Sequence, residues 1–279
     1  KNFAGEVIYL GADIELNQGN AKDWRKGEKT KELLPWIPIG TTEHQFAGTF
    51  DGQDHIISGI YASDRTMEGK TNWRIGLFGS VTDANITNLR VENSLFEGGA
   101  YIGTFAASAV NTKFTDLYSD AYVEAKYDNS YAGQAGGIVS TFDGGQRGEV
   151  TNCWFAGEVN SGTYGYTGGM IGLVNGGTIE LSACLNTGTV YSEGKYVGGF
   201  IGMIQKTDDL SKVKLSESFN AGSVSSEQTE SVGSVIGKME ALLYVEQSSV
   251  HTIQSELPYA IGSGFSGALF TAFPFIVSL

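Results

Sequence analysis

The apolar positions of this chain fall in short runs of four to six residues that are rich in β-branched and aromatic side chains. Gly, Asn, Ser and Asp separate the runs. Runs of this length with such boundaries are typical of β-strands, and the repeated part of the chain sustains no 3.6-residue period. The pattern therefore predicts an all-β protein.

One seven-residue segment recurs along the chain, in copies that begin at Trp73, Tyr101, Gln134, Tyr166, Tyr196 and Ser231. The fourth positions of these copies are residues 76, 104, 137, 169, 199 and 234, so successive copies are 28, 33, 32, 30 and 35 residues apart. A weaker seventh copy begins at Tyr259. A second apolar segment follows each of the first five copies, at Ile86-Thr87-Asn88-Leu89, Phe114-Thr115-Asp116-Leu117, Val150-Thr151-Asn152-Cys153, Leu181-Ser182-Ala183-Cys184 and Leu215-Ser216-Glu217-Ser218.

A unit of this size can form two or three short strands, but it buries an apolar face only by stacking on a copy of itself. Equivalent strands then pair in parallel, and equivalent side chains form ladders. The sequence thus predicts a parallel β-helix (solenoid) of about six to seven coils of roughly 30 residues.

The repeat alignment predicts two neighbouring side-chain ladders. One contains Leu77, Phe105, Ile138, Met170, Phe200 and Val235, and the other contains Phe78, Ala106, Val139, Ile171, Ile201 and Ile236. Because successive residues of a strand face opposite ways, one of the two ladders is expected in the core.

The chain is expected to form one continuous domain with three parts. Residues 1–62 are expected to be an N-terminal β segment that leads into the coil and caps it. Residues 63–253 hold the repeats, and residues 254–279 are expected to supply C-terminal strands or a cap.

The formal net charge is −13, which disfavours nucleic acid as a partner because its phosphate backbone is also negative. Residues 257–279 carry no charged side chain, but Gly, Ser and Pro interrupt their apolar run. A membrane span needs about 20 predominantly apolar residues, so no membrane insertion is expected.

The two cysteines, Cys153 and Cys184, occupy the same position of adjacent repeats. Stacked strands lie about 4.8 Å apart, which brings the two side chains near each other. Parallel Cβ vectors do not point at each other, so two free thiols in the core are expected in place of a disulfide.

Several motifs resemble the GLUG repeat of bacterial surface proteins and of the accessory region of IgA-type metallopeptidases. In the repeats these motifs are Gly76-Leu77-Phe78-Gly79, Gly169-Met170-Ile171-Gly172 and Gly199-Phe200-Ile201-Gly202. In the segment before them they are Asp13-Ile14-Glu15-Leu16, Trp36-Ile37-Pro38-Ile39-Gly40 and Phe50-Asp51-Gly52-Gln53-Asp54-His55-Ile56-Ile57-Ser58-Gly59. The resemblance covers about residues 5–253.

This resemblance implies a large bacterial protein that is secreted or held at the cell surface, and it implies an adhesin. It does not extend to peptidase chemistry. The sequence contains no His-Glu-x-x-His motif, and its three histidines, His44, His55 and His251, lie far apart.

Catalytic and cofactor motifs are weak. Two carboxylate pairs could serve a polysaccharide-cleaving enzyme, Asp13 with Glu15 on one face of a strand and Asp51 with Asp54 around a turn. A solvated strand face and an Asp-Gly turn are the simpler interpretations. No cofactor or metal is expected, because the paired glycines precede strands, whereas a phosphate site needs a helix N-terminus.

An aromatic column at Trp73, Tyr101, Tyr166 and Tyr196 is the candidate ligand-binding feature. Such rings could stack against sugars, and they could equally form a structural ladder, the interpretation favoured here. The predicted function is a non-catalytic extracellular adhesion or spacer module whose partner is a host or bacterial surface glycan or protein. The alternatives are a glycan-binding module and, last in rank, a β-helical polysaccharide hydrolase or lyase.

Overall fold

The computed structural model describes residues 2–25, 30–64, 74–125, 133–163, 165–205, 211–228, 231–240, 242–245, 251–252 and 269–271. Within these ranges the helical segments are one α-helix, Ala21–Trp24, one 3-10 turn, Thr30–Glu32, and the single 3-10 residue Asp64. The remaining regular structure is β, which confirms the all-β prediction. None of the helices in these ranges is long and apolar enough to cross a membrane.

The strands form four sheets, numbered here in the order in which each turn of the chain visits them. Sheet I contains Arg74–Ile75, Tyr101–Gly103, Gln134–Gly136, Tyr166–Gly168, Val197–Gly198 and Val232–Gly233. Sheet II contains Phe78–Thr82, Ala106–Val110, Val139–Asp143, Ile171–Asn175, Ile201–Ile204 and Ile236–Met239.

Sheet III contains Val7–Tyr9, Ile14–Glu15, Thr49–Ser58, Asn85–Glu92, Lys113–Ser119, Arg147–Thr151, Trp154–Phe155, Thr178–Ser182, Leu185–Asn186, Lys212–Ser216, Phe219–Asn220, Leu242–Val245, His251–Thr252 and Leu269–Thr271. Sheet IV contains Tyr61–Ser63, Leu95–Gly98, Tyr122–Ala125, Glu158–Ser161, Thr189–Ser192 and Ser223–Ser226.

Every strand pairing among the described residues is parallel, and equivalent positions of successive repeats face each other. In sheet II, for example, Ala106 pairs with Phe78 on one side and with Val139 on the other. The chain is therefore a parallel β-solenoid, as predicted. Sheets I, II and IV each hold six levels joined by five full turns, slightly fewer than the predicted six to seven coils. The seventh copy at Tyr259 and residues 254–268 and 272–279 lie outside the described residues.

Both predicted ladders are buried, whereas the sequence indicated that only one would be. The ladder from Phe78 to Ile236 lies on sheet II and is fully buried. The ladder from Leu77 to Val235 directly precedes those strands, at the corner between sheets I and II, and is at most 5% exposed. Because its residues lie in a turn, the alternation of a flat strand does not apply to them.

The backbone of sheet I lies directly against the backbone of sheet II. This contact is possible because, at each level, one glycine of sheet I faces the sheet II strand that follows it in the chain. A Cβ placed on Gly136, Gly168 or Gly198 would lie 1.9–2.0 Å from the carbonyl oxygen of the residue three positions later. Gly172 and Gly202, on sheet II, face sheet I, where an added Cβ would lie 2.8 Å from the Ala135 carbonyl oxygen and 2.4 Å from the Thr167 backbone nitrogen, respectively. The glycines of the repeated motif therefore permit the close approach of the two sheets.

Sheet III bends at one left-handed residue per level. The φ angles are 53° at Asn88, 56° at Asp116, 52° at Asn152, 52° at Ala183 and 48° at Glu217. Asn and Asp adopt this conformation more readily than other L-residues, and their side chains form hydrogen bonds between adjacent levels here. Asn88 Nδ2 donates to Asp51 Oδ1 at 3.0 Å, and Asn152 donates likewise to Asp116.

Two buried asparagines, Asn186 and Asn220, occupy one position of adjacent levels next to the corner glycines. Asn186 Nδ2 donates to Asn220 Oδ1 at 2.9 Å and to the Gly199 carbonyl oxygen at 2.9 Å. Asn220 Nδ2 donates to the Ser234 carbonyl oxygen at 2.7 Å. Buried amides are tolerated when they are hydrogen-bonded in this way, and the ladder ties sheet III to the corner between sheets I and II.

Residues 2–63 stack on the first repeat with the same parallel pairing. Val7–Tyr9 pairs with Thr49–Asp51, which in turn pairs with residues 85–87. Isolated bridges join Pro35 to Tyr61 and Ile39 to Phe78. This segment thus continues the solenoid with two less regular levels.

Replacement of Gly168 by alanine is expected to destabilise the protein by about 2 kcal/mol or more, since the new Cβ would lie 2.0 Å from the Ile171 carbonyl oxygen. Gly11→Ala is the matched control, because no atom lies within 4 Å of a Cβ at that position. Urea denaturation followed by circular dichroism measures both variants. Equal midpoints would contradict the close approach of sheets I and II.

The two cysteine thiols are expected to react with a thiol reagent only after unfolding. Cys153 and Cys184 are free and are 1% and 2% exposed, as predicted for core thiols. Burial raises the pKa of the Cys153 thiol well above its ordinary value, and the adjacent Cys184 adds to the effect. Titration with Ellman's reagent with and without urea checks this, and rapid labelling of the folded protein would refute it.

Candidate functional site

The predicted aromatic column lies on sheet I, with a change at its first member. Trp73 lies outside the described residues, and Arg74 is the residue that pairs with Tyr101. Gln134 pairs with both Tyr101 and Tyr166. The sheet I strand of the first repeat is therefore shifted by one residue relative to the sequence alignment, which placed Trp73 opposite Tyr101. The sheet II strand of the same repeat keeps the aligned register, with Phe78 opposite Ala106.

The tyrosines of this column are half-buried and pack against their neighbours. The ring centroids of Tyr166 and Tyr196 are 5.5 Å apart, and Lys238 Nζ lies 4.8 Å from the Tyr196 ring centre. Arg74 Cζ lies 4.8 Å above the Tyr101 ring. Burial, and then the neighbouring Tyr196, raises the pKa of Tyr166. These contacts resemble a structural ladder more than an open platform for a ligand.

A second column with aromatic members runs along the outer face of sheet III, beyond its bend. We call it the sheet III stripe. Its members pair with one another at successive levels and are Ile56, Arg90, Tyr118, Trp154, Leu185 and Phe219. Trp154 is 43% exposed, a high fraction for a tryptophan in a folded chain.

The centre of the sheet III stripe is held in a defined geometry. Tyr118 and Trp154 contact edge to face, with centroids 5.0 Å apart and planes at 75°. Arg90 Cζ lies 4.5 Å above the Tyr118 ring, and Trp154 Nε1 donates to Thr187 Oγ1 at 2.8 Å. The indole is thus oriented by a hydrogen bond while much of its surface faces solvent.

Polar side chains flank the sheet III stripe on both sides. One flank is a hydroxyl ladder of Thr87, Thr115, Thr151, Ser182 and Ser216. In this ladder Thr151 Oγ1 and Ser182 Oγ are 3.1 Å apart. The other flank includes Glu92 and Asp120, and the pKa of Asp120 is raised chiefly by burial. The face therefore offers apolar ring surface between rows of hydrogen-bonding groups.

Sequence analysis did not single out the sheet III stripe, although a signal for it exists. From Arg90 onward, each stripe residue directly follows the last residue of a second apolar segment, as Tyr118 follows Leu117 and Trp154 follows Cys153. The left-handed residue at the bend shifts the alternation by one position, so Thr151 and Trp154 both face outward. A strict two-residue period cannot reveal that relationship.

Two of the four carboxylates considered as catalytic candidates, Asp13 and Asp51, have structural partners. Asp13 Oδ1 accepts from the Ile56 backbone N–H at 2.9 Å and lies 3.0 Å from His55 Nδ1, and these contacts lower the pKa of Asp13. Asp51 Oδ1 accepts from the Gln53 backbone N–H at 3.0 Å, as expected for an Asp-Gly turn. No cluster of three or more potential metal ligands occurs among the described residues.

Comparison with known proteins gives a structural likeness alone. No protein-family model matches the chain, and no curated protein matches it. Among solved structures, it is similar to a putative immunoglobulin A1 protease from Bacteroides ovatus, with a TM-score of 0.63 and 19% sequence identity. The match covers 96% of this chain and 77% of that one. At this identity the likeness supports the β-solenoid fold.

Proposed function

We propose that the protein is a non-catalytic extracellular adhesion module that binds a neutral surface glycan through the sheet III stripe. The exposed indole of Trp154, oriented by its hydrogen bond on the outer face of sheet III, is the observation that supports this proposal. The location outside the cell is supported by the resemblance of the repeats to those of bacterial surface proteins.

The chemistry of the face fits a sugar chain. A pyranose has an apolar C–H face and a rim of hydroxyl groups, and an exposed aromatic ring beside polar side chains matches both. Trp154 supplies the ring, while Thr151, Asn152 and Thr187 supply hydrogen-bonding groups around it. Successive levels are about 4.8 Å apart, close to the length of one sugar unit in an extended chain.

The charge of the chain favours a neutral ligand over an acidic one. The formal net charge is −13, and Glu92 and Asp120 lie beside the sheet III stripe. An anionic polysaccharide would meet repulsion at this face. The alternative to a glycan is a protein partner, which would have to cover the same exposed indole. The experiment below treats binding of such a partner as an alternative outcome.

The enzymatic alternative has less support. A glycosidase needs two carboxyl groups about 5–10 Å apart that face one bound sugar. Of the candidates from the sequence, Asp13 and Asp51 each accept hydrogen bonds from backbone N–H groups. A non-catalytic role therefore fits their environment better.

Trp154→Ala is expected to weaken glycan binding about tenfold, because it removes the aromatic face on which the sugar would stack, and a loss of about 1.4 kcal/mol corresponds to a tenfold change in affinity. Trp154→Phe keeps a stacking face and should retain part of the affinity. A glycan array identifies the ligand of the wild-type chain, and calorimetry with that oligosaccharide compares the variants. Undiminished binding by Trp154→Ala, or array binding to acidic glycans only, would contradict the proposal.

The double variant Tyr166→Ala and Tyr196→Ala is the matched control. We expect it to melt several degrees earlier, because the two rings pack against each other and are half-buried. Below its melting temperature it should bind the same oligosaccharide with unchanged affinity. Loss of binding without loss of stability would instead locate the ligand at the aromatic column of sheet I.

A further inference from the structure

The outer face of sheet IV changes from apolar to polar along the solenoid. One of its columns contains, from the first level to the sixth, Tyr61, Leu95, Tyr122, Glu158, Thr189 and Ser223. The next residue of each strand, such as Ala62 or Phe96, lies in the main core, so this column faces outward. Tyr61 and Leu95 are nevertheless 2% and 0% exposed, because another part of the chain covers them.

The cover is a short segment that runs across the outside of the solenoid. It consists of residues 18–25, and we call it the sheet IV strap. Its helix, Ala21–Trp24, is buried at both ends in one cluster with Tyr61 and Leu95. None of residues 18–25 belongs to a β-strand, so the levels beneath the strap pair without it.

Asn17 fixes the point at which the strap leaves the solenoid. Its Oδ1 accepts from the Leu34 backbone N–H at 2.7 Å, and its Nδ2 donates to the Leu34 carbonyl oxygen at 3.0 Å. The same Nδ2 donates to the Gly59 carbonyl oxygen at 2.8 Å. Gly19, two residues after this fixed point, has a φ angle of 103°, a conformation that glycine adopts most readily. The strap therefore begins with a firm anchor followed by a flexible residue type.

Arg25 fastens the other end of the strap across two levels of sheet IV. Its Nε donates to Glu124 Oε1, and its Nη1 donates to Glu158 Oε2 at 2.6 Å. Its guanidinium carbon lies 4.8 Å from the centre of the Tyr122 ring. Glu124 is 2% exposed, and a buried carboxylate is strongly destabilising when its cation is removed. The closed strap thus supplies a cation to a buried carboxylate.

A second fastening lies at the start of the strap helix. Asn93 Oδ1 accepts from the Ala21 backbone N–H at 2.9 Å, and Asn93 Nδ2 donates to the Gly19 carbonyl oxygen at 2.7 Å. Hydrogen bonds between neutral groups are weaker than those between charged groups. Arg25 is therefore the stronger of the two fastenings.

We propose that the sheet IV strap opens as a unit while the solenoid stays folded, and that Arg25 is the latch that keeps it closed. Opening exposes Trp24, Tyr61 and Leu95, so the latch controls access to an apolar face of the kind that other molecules bind. The fifth and sixth levels support a removable cover, because the same column is polar there and the strands pair in the same way.

Thiol labelling of the folded protein tests the opening. Ala21→Cys places a thiol beneath the closed strap, at a position that is 0% exposed. This thiol should react with Ellman's reagent under native conditions, whereas Cys153 and Cys184 should react only when the solenoid unfolds. Reaction of all three thiols at one rate would mean that the strap opens only on global unfolding, and the proposal would be wrong.

Arg25→Met in the Ala21→Cys background tests the latch. It should raise the labelling rate of the introduced thiol at least tenfold, because Glu124 and Glu158 lose the cation that they share. The labelling rate of the two native cysteines should change little, since the solenoid itself is intact.

Two further variants in the same background serve as controls. Lys22→Met removes an exposed cation from the same helix and should leave the labelling rate unchanged. The double variant Arg25→Met and Glu124→Gln removes the latch without leaving an uncompensated buried charge, and it should also label faster. An unchanged rate in both Arg25 variants, or an equal rise in Lys22→Met, would overturn the proposal.

Discussion

Sheets I and II can lie backbone against backbone only where no side chain separates them, and the rest of the solenoid depends on that close approach. Glycines at positions such as 136, 168 and 198 remove the Cβ that would collide with the following strand. The chain can then reverse within two residues, so that the corner ladder from Leu77 to Val235 fills the core beside the sheet II ladder. Every turn must repeat this geometry, because each level is the template on which the next one pairs.

The same repetition determines the surface. Once the levels are in register, each outward position becomes a column of chemically related side chains, and the columns differ in what they can do. On sheet I the tyrosines are half-buried and contact Arg74, Lys238 and each other, which stabilises the fold. On sheet III the bend directs Tyr118 and Trp154 outward beside rows of hydroxyl and carboxylate groups, and this arrangement is the basis of the proposed glycan site.

The sequence by itself determined the repeat, the strands, their parallel stacking and the burial of Cys153 and Cys184, because these follow from local periodicity and from the need of each unit to bury one face. Tertiary structure decided the rest. The left-handed residue at each bend shifts the alternation of inward and outward side chains by one position, so that Trp154 faces solvent. A fixed two-residue period in the sequence cannot predict this shift. The one-residue shift that puts Arg74 opposite Tyr101 likewise depends on which strands meet in space.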